Sequence, residues 1–203
     1  MGACQSSDDA FFAAINTGDV QAMRKLLDGG FSPNWHDDED DRRGLHWAAF
    51  HGDVDMAELF IDRGADANAP SAYGTPLHLA AAKADTAVLL LLLGAKANVN
   101  VFGTSAKTSP LHIASRHGNV EAVRLLLVAK ANPNAADATG ETPLHAAVKG
   151  SHWEIVSLLV SRGAFVAARD ADGQLPVNFV GLCDSFNFEH AIAEGQANRF
   201  RPM

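Results

Sequence analysis

Apolar and polar positions along the chain recur with a period near 33 residues. Leu45, Leu77, Leu111 and Leu144 each precede a histidine (His46, His78, His112, His145), and Asn178 holds the next such place. Six residues past each His stands a turn residue, namely Gly52, Ala84, Gly118 and Ser151. A Leu-rich stretch follows, as in Glu121–Leu127, and a small-residue junction closes each unit: Gly64-Ala65, Lys96-Ala97, Lys130-Ala131, Gly163-Ala164. The pattern predicts helix–turn–helix units. A short helix of this kind is marginal alone. Packing it antiparallel on a second helix buries one side, and the next unit buries the other, so the stack shares one continuous core.

The unit starts carry a signature. It reads Thr75-Pro76-Leu77-His78, Ser109-Pro110-Leu111-His112 and Thr142-Pro143-Leu144-His145, with worn copies at Gly44-Leu45-His46 and Pro176-Val177-Asn178. Proline suits the first helical position, where its missing N–H has no partner to lose. Thr75 and Thr142 are placed to cap those helix starts. Asn68, Asn98, Asn132 and Asn134 fall in the turns between units, where Asn tolerates unusual backbone angles.

Period and signature together resemble the ankyrin repeat, over about residues 8–190. The departures are Arg43-Gly44 in place of Thr-Pro and Asn178 in place of His. The resemblance implies an all-α, ankyrin-type helical repeat solenoid with short β-hairpin-like loops. About six units are expected, at 8–34, 42–68, 70–100, 104–134, 137–167 and 170–190, the outer ones irregular because each shows one face to water. Residues 1–7 are expected to be flexible. Residues 191–203 form a C-terminal tail, with Phe186 and Phe188 covering the open end of the stack and Ala191–Ala193 as a final helical turn.

Charge and composition narrow the function. The formal net charge of −8 opposes nucleic-acid binding, which needs a basic face, and opposes attraction to anionic lipid. Cys4 and Cys183 stand at opposite ends of the chain, so no disulfide framework is expected and a reducing, cytoplasmic compartment is. The longest apolar run, Ala87–Leu93, is too short to span a bilayer. The first apolar stretch is too short for a signal peptide and follows Asp8 and Asp9.

Candidate chemistry is thin. Equivalent histidines on neighbouring units sit about 8–10 Å apart, too far to share a zinc ion at about 2 Å per ligand. The resemblance implies instead that they hydrogen-bond backbone between repeats. Cys183 and His190, seven residues apart, are the one pair offered for nucleophilic chemistry. No nucleophile elbow or phosphate loop is present, so no enzyme activity, cofactor, metal or small-molecule substrate is expected. The acidic run Asp37-Asp38-Glu39-Asp40-Asp41 suits a basic partner or a hard cation. Its acids are not spaced as a calcium loop requires, and a solvated loop is the favoured reading.

The resemblance places the binding face on the loop tips and the exposed edge of each first helix. The fourth and fifth residues after each signature His lie there: Phe50 and His51, Ala82 and Lys83, Arg116 and His117, Lys149 and Gly150. Loop tips add Trp35, Tyr73, Phe102 and Lys107, and the loop 101–109 is longer than its counterpart at Tyr73-Gly74. Aromatic and Arg side chains often dominate binding energy. Trp47 is read as core, and Trp153 as either core or surface.

Met1-Gly2-Ala3-Cys4-Gln5-Ser6-Ser7 fits the N-myristoylation pattern, with Cys4 placed for palmitoylation. It is similar to the starts of doubly acylated signalling proteins. The opposing reading is a chance Met-Gly start. The expected function is a non-catalytic protein–protein adaptor or scaffold, lipid-anchored at the cytoplasmic face of a membrane where Gly2 and Cys4 are acylated. The alternative is a structural subunit built permanently into a large assembly.

Overall fold

The computed structural model describes residues 2–37, 39–103, 106–181 and 184–199, with side chains from residue 7 onward. It is an all-α repeat solenoid. Among the described residues the only β pairing is an antiparallel bridge between His36 and Arg43. The chain divides into two compact units, Met1–Ala80 with Asp85–Asn98, and Ala81–Ala84 with Val99–Met203.

The first unit holds α1 (Gly2–Thr17), α2 (Val20–Asp28), α3 (Gly44–His51), α4 (Val54–Asp62), most of α5 (Pro76–Ala81) and α6 (Ala87–Gly94). Helix α1 packs on α2 and α3, α3 packs on α4, and α4 lies between α2 and α6. Phe11, Met23, Leu45, Met56, Phe60, Leu89 and Leu92 are fully buried along these contacts. Gly18 and Gly52 take left-handed φ of 66° and 75°, turning the chain between paired helices at no Cβ cost. Asp19 and Asp53 then accept from the N–H groups of Ala22 and Met56 and cap α2 and α4.

The worn signature at Arg43-Gly44 has a packing cause. Phe60 occupies the place held by Leu92 in the next repeat, fourteen residues past the signature His. Its ring lies against Gly44 so closely that a Cβ there would come within 2.1 Å of Phe60 Cζ. The ring on α4 leaves no room at Gly44 for the proline that Pro76, Pro110 and Pro143 supply in the regular repeats.

The second unit holds α7 (Pro110–His117), α8 (Val120–Val128), α9 (Pro143–Lys149), α10 (Trp153–Ser161), a 3-10 turn at Pro176–Phe179 and α11 (Ser185–Asn198). Helix α7 packs on α8 and α9, α9 on α10 and the 3-10 turn, and α10 on α8 and α11. In the last signature Asn178 Oδ1 accepts from the Leu175 N–H at 2.6 Å. It replaces the histidine's cap, and only one tight turn forms.

Helices lie at both ends of the described residues. Helix α1 starts at Gly2, inside the stretch read as flexible, because residues 3–9 contain no helix breaker. Helix α11 runs to Asn198, beyond the boundary drawn at 190, so residues 191–198 are helix rather than tail. Phe188, Ala191 and Gly195 form its buried stripe, and a Cβ on Gly195 would lie 2.5 Å from the Ser157 carbonyl oxygen on α10. Phe188 meets Trp153 edge-on at 6.5 Å. Phe186 does not cover the end of the stack: it is 77% exposed, and among the described residues its ring stacks on His190.

Side-chain hydrogen bonds stitch successive repeats inside each unit. The Nδ1 atoms of His46, His112 and His145 accept from the backbone N–H of Arg43, Ser109 and Thr142, each at 3.1 Å. The proton therefore sits on Nε2, which donates to the carbonyls of Gly74 (3.2 Å), Glu141 (3.0 Å) and Gln174 (3.4 Å) about 29 residues on. The inter-unit asparagines do more than tolerate a bend. Asn34, Asn68, Asn100 and Asn134 each accept, through Oδ1, from a backbone N–H in the next turn: Asp66, Asn98, Asn132 and Phe165. The residues held left-handed at these junctions are Lys96 and Lys130, standing where Gly64 and Gly163 serve elsewhere.

Candidate protein-binding surface

In the first unit three of the expected surface residues, Phe50, His51 and Tyr73, join Arg42 and Trp47 in one array. Tyr73 is 56% exposed. The Arg42 guanidinium lies 5.0 Å from its ring centroid and 4.0 Å from that of Trp47. Trp47 stacks in turn on His51 at 6.1 Å, and His51 meets Phe50 edge-on at 5.3 Å. Trp47 is thus half-buried and partly in the surface array, whereas the sequence assigned it to the core. Trp35 is not a free loop tip: it packs on Phe11, Phe12 and Phe31 at 4.9–5.6 Å.

The described residues of the acidic run sit at a folded hairpin tip, with Glu39 and Asp41 exposed. The Asp37 N–H donates to the Arg42 carbonyl at 3.0 Å. Asp37 Oδ1 accepts from the Asp40 N–H at 2.7 Å. Arg42 donates to Asp40 Oδ2 at 2.6 Å, and Asp41 pairs with His36 at 3.2 Å. The Ala72 N–H donates to the Asp40 carbonyl at 2.8 Å, tying this tip to the next loop. Asp38 lies outside the described residues. Several acids of the run are therefore spent on building the loop and fixing Arg42.

In the second unit the basic residues separate by what they touch. Arg116 and His117 end α7, are exposed, and make no side-chain hydrogen bond or ion pair among the described residues. Lys149 is engaged: its ammonium pairs with Glu141 and lies 4.1 Å from the centroid of the Phe179 ring. Its place four residues past a signature His makes it equivalent to Arg116 in the sequence; Glu141, on a loop eight residues away, and Phe179, in the next repeat, set it apart. Phe102 is 52% exposed and Lys107 exposed, the latter with a left-handed φ of 48°. Residues 104 and 105 of that longer loop lie outside the described set. Lys83 is half-buried, and its carbonyl accepts from Asn119 Nδ2 at 3.1 Å.

Gly2 and Cys4 lie on α1, with side chains outside those described. Cys183 also lies outside the described residues, and His190 is exposed against Phe186. Among the described residues no group of three or more His, Cys, Asp or Glu is arranged to hold a metal ion. No described helix is long and apolar enough to cross a membrane. The residues the sequence missed here are Arg42 and Phe12. The signal for Arg42 was present: an arginine next to five acids and one turn from a tryptophan.

Comparison with known proteins agrees with this architecture. The model for ankyrin repeats (3 copies) matches residues 10–102 and 88–170. The chain belongs to the ankyrin repeat family, whose repeats form protein–protein interaction modules. It is similar to the ankyrin repeat protein nuc-2 of Neurospora crassa, 41% identical over 34% of this chain and 7% of that protein. It is similar to serine/threonine-protein kinase 12 of Arabidopsis thaliana, 38% identical over 30% of this chain and 13% of the kinase. It is also similar to the palmitoyltransferase AKR1 of Gibberella zeae, 37% identical over 33% and 9%. The chain thus spans only a small part of these relatives, and the activities in their names are said of those proteins.

Proposed function

We propose that this protein is a non-catalytic adaptor that grips a protein partner through the exposed ends of its first helices and its loop tips. The observation that carries the reading is the pair Arg116 and His117. The signature and junction residues are consumed by packing and inter-repeat hydrogen bonds, while these two project from the end of α7 with no side-chain partner among the described residues. A free guanidinium on a rigid helix end loses little on binding and is well suited to anchor a carboxylate. The test is capture of partners by wild type and by the double variant Arg116→Glu, His117→Glu, with equal helical content in both. Loss of one specific partner supports the reading, and an unchanged partner set removes this edge from it. Co-sedimentation with a large complex in high salt would favour the permanent assembly subunit instead.

The same proposal includes an acyl anchor, myristoyl on Gly2 and palmitoyl on Cys4, placing the adaptor at the cytoplasmic face of a membrane. Its support is the residue pattern alone. One myristoyl chain gives only marginal attachment, so the second chain matters. Metabolic labelling with alkyne fatty acids, compared between wild type, Gly2→Ala and Cys4→Ser in a eukaryotic cell, tests it directly.

A further inference from the structure

We infer that the cleft between α1 and the acidic hairpin takes an arginine side chain from a basic segment of the partner. The inference rests on the protein-binding reading and adds a second contact to it, with its own chemistry. The cleft is an open groove of about 430 Å³, a volume within the range of sites that hold small ligands. Its walls are aromatic: Phe12 faces Trp35 edge-on at 5.6 Å and Trp47 edge-on at 6.2 Å. Its rim is acidic, with Asp8 from the helix and Asp37 and Glu39 from the hairpin.

These carboxylates differ in what they already do. Asp37 is occupied by the Asp40 N–H and stands 3.9 Å from Arg42. Asp8 and Glu39 make no hydrogen bond or ion pair among the described residues. Counting Arg42, the lining carries a formal charge of −2, from three acids and one base. The surroundings reinforce this. The first unit holds fifteen Asp and Glu against six Lys and Arg, and the second holds nine against ten. An electronegative field of this kind steers a basic segment toward the cleft.

Aromatic faces attract a cation, more so when water is excluded. Arginine fits better than a compact ammonium, because its planar group stacks on rings while its N–H groups reach carboxylates in pairs. Arg42 shows that this surface accepts such a group: its guanidinium lies over Trp47 with Asp40 holding it from the side. A hard metal ion fits poorly: among the described residues no three His, Cys, Asp or Glu side chains converge on one point, and the rings between these carboxylates offer a cation no oxygen ligand.

The chain has three tryptophans, of which Trp35 and Trp47 line the cleft and Trp153 lies in the other unit. Their indole N–H resonances therefore contain both the reporters and an internal control. The experiment titrates ¹⁵N-labelled full-length protein with acetyl-Gly-Arg-Gly-amide and with its neutral isostere, acetyl-Gly-citrulline-Gly-amide. The expected result is a saturable shift of Trp35 and Trp47 with the arginine peptide, none at Trp153, and little with citrulline. Asp8→Asn with Glu39→Gln is expected to weaken binding at least fivefold while leaving the other resonances in place, since neither side chain has a partner among the described residues. Three results would each overturn the inference: no saturable movement, equal movement with citrulline, or unchanged affinity in the double variant. None of them touches the Arg116 and His117 edge, which is scored by partner capture.

Discussion

His46 is fully buried with both ring nitrogens committed, one accepting from Arg43 and one donating to Gly74. Burial strips solvent from the charged form and holds its pKa down, from 6.5 to about 4; His112 is shifted in the same direction by the same cause. Because the folded pKa lies below the unfolded value, the unfolded chain takes up the proton first as pH falls. Stability is therefore complete above pH 6.5 and is lost between 6.5 and 4, with His46 alone costing about 2 kcal/mol by pH 5. Urea midpoints measured from pH 7 to 5 are expected to fall, and to fall less steeply in His46→Gln. Parallel pH profiles for the two proteins would show that the ring is not the proton acceptor responsible. Spacing alone spoke against a metal centre shared by the histidines, and the family resemblance supplied their structural role. The partner carbonyls were not, because they lie about 29 residues away and depend on how the next repeat docks. The junction asparagines illustrate the same limit: their place in a turn was readable, their reach to the following turn was not.

At the scale of the element, each helix pair is set by what its neighbour leaves room for. Helix α3 lacks the usual proline because the Phe60 ring of α4 fills the space beside Gly44. Gly44→Pro alone is expected to cost about 1–3 kcal/mol by overpacking. Phe60→Leu alone opens a cavity and is destabilising too. Together they restore the arrangement of the regular repeats, so the double variant should be more stable than the sum of the single losses predicts. Chemical denaturation of the four proteins gives the coupling energy directly, and strict additivity would refute the compensation. Sequence alone exposed the missing proline as an irregularity but not its cause, which needs two helices in contact. The extent of helix α11 is not legible in the sequence for a related reason. Beyond the last signature the period offers no template, and the stripe Phe188, Ala191, Gly195 becomes meaningful only against α10. Surface residues were the least legible: Lys149 and Arg116 look equivalent in the repeat, yet only one of them meets an acid and a ring.

Over the whole molecule, charge is divided unevenly. The first unit has a formal charge of −9 and the second of +1, so nearly all the excess acid is carried by one of them. Like charges held in a compact body repel, and the unfolded chain relieves that repulsion by expanding. Salt relieves it too, because the screening length shrinks from about 30 Å at 0.01 M to about 8 Å at 0.15 M. Raising ionic strength over this range is therefore expected to stabilise the acidic unit and leave the other nearly unchanged. A gain of about 0.5 kcal/mol corresponds to a rise of roughly 2–4 °C in the midpoint of a unit of this size. Incorporating 5-fluorotryptophan lets the transition be followed by ¹⁹F resonance at Trp35 and Trp47 separately from Trp153. The midpoints at the first two should climb with salt while that at Trp153 stays level. Equal shifts at all three would mean that the repulsion is shared along the chain, and a fall at Trp35 and Trp47 would mean that attraction between the hairpin acids and Arg42 outweighs repulsion among the acids themselves.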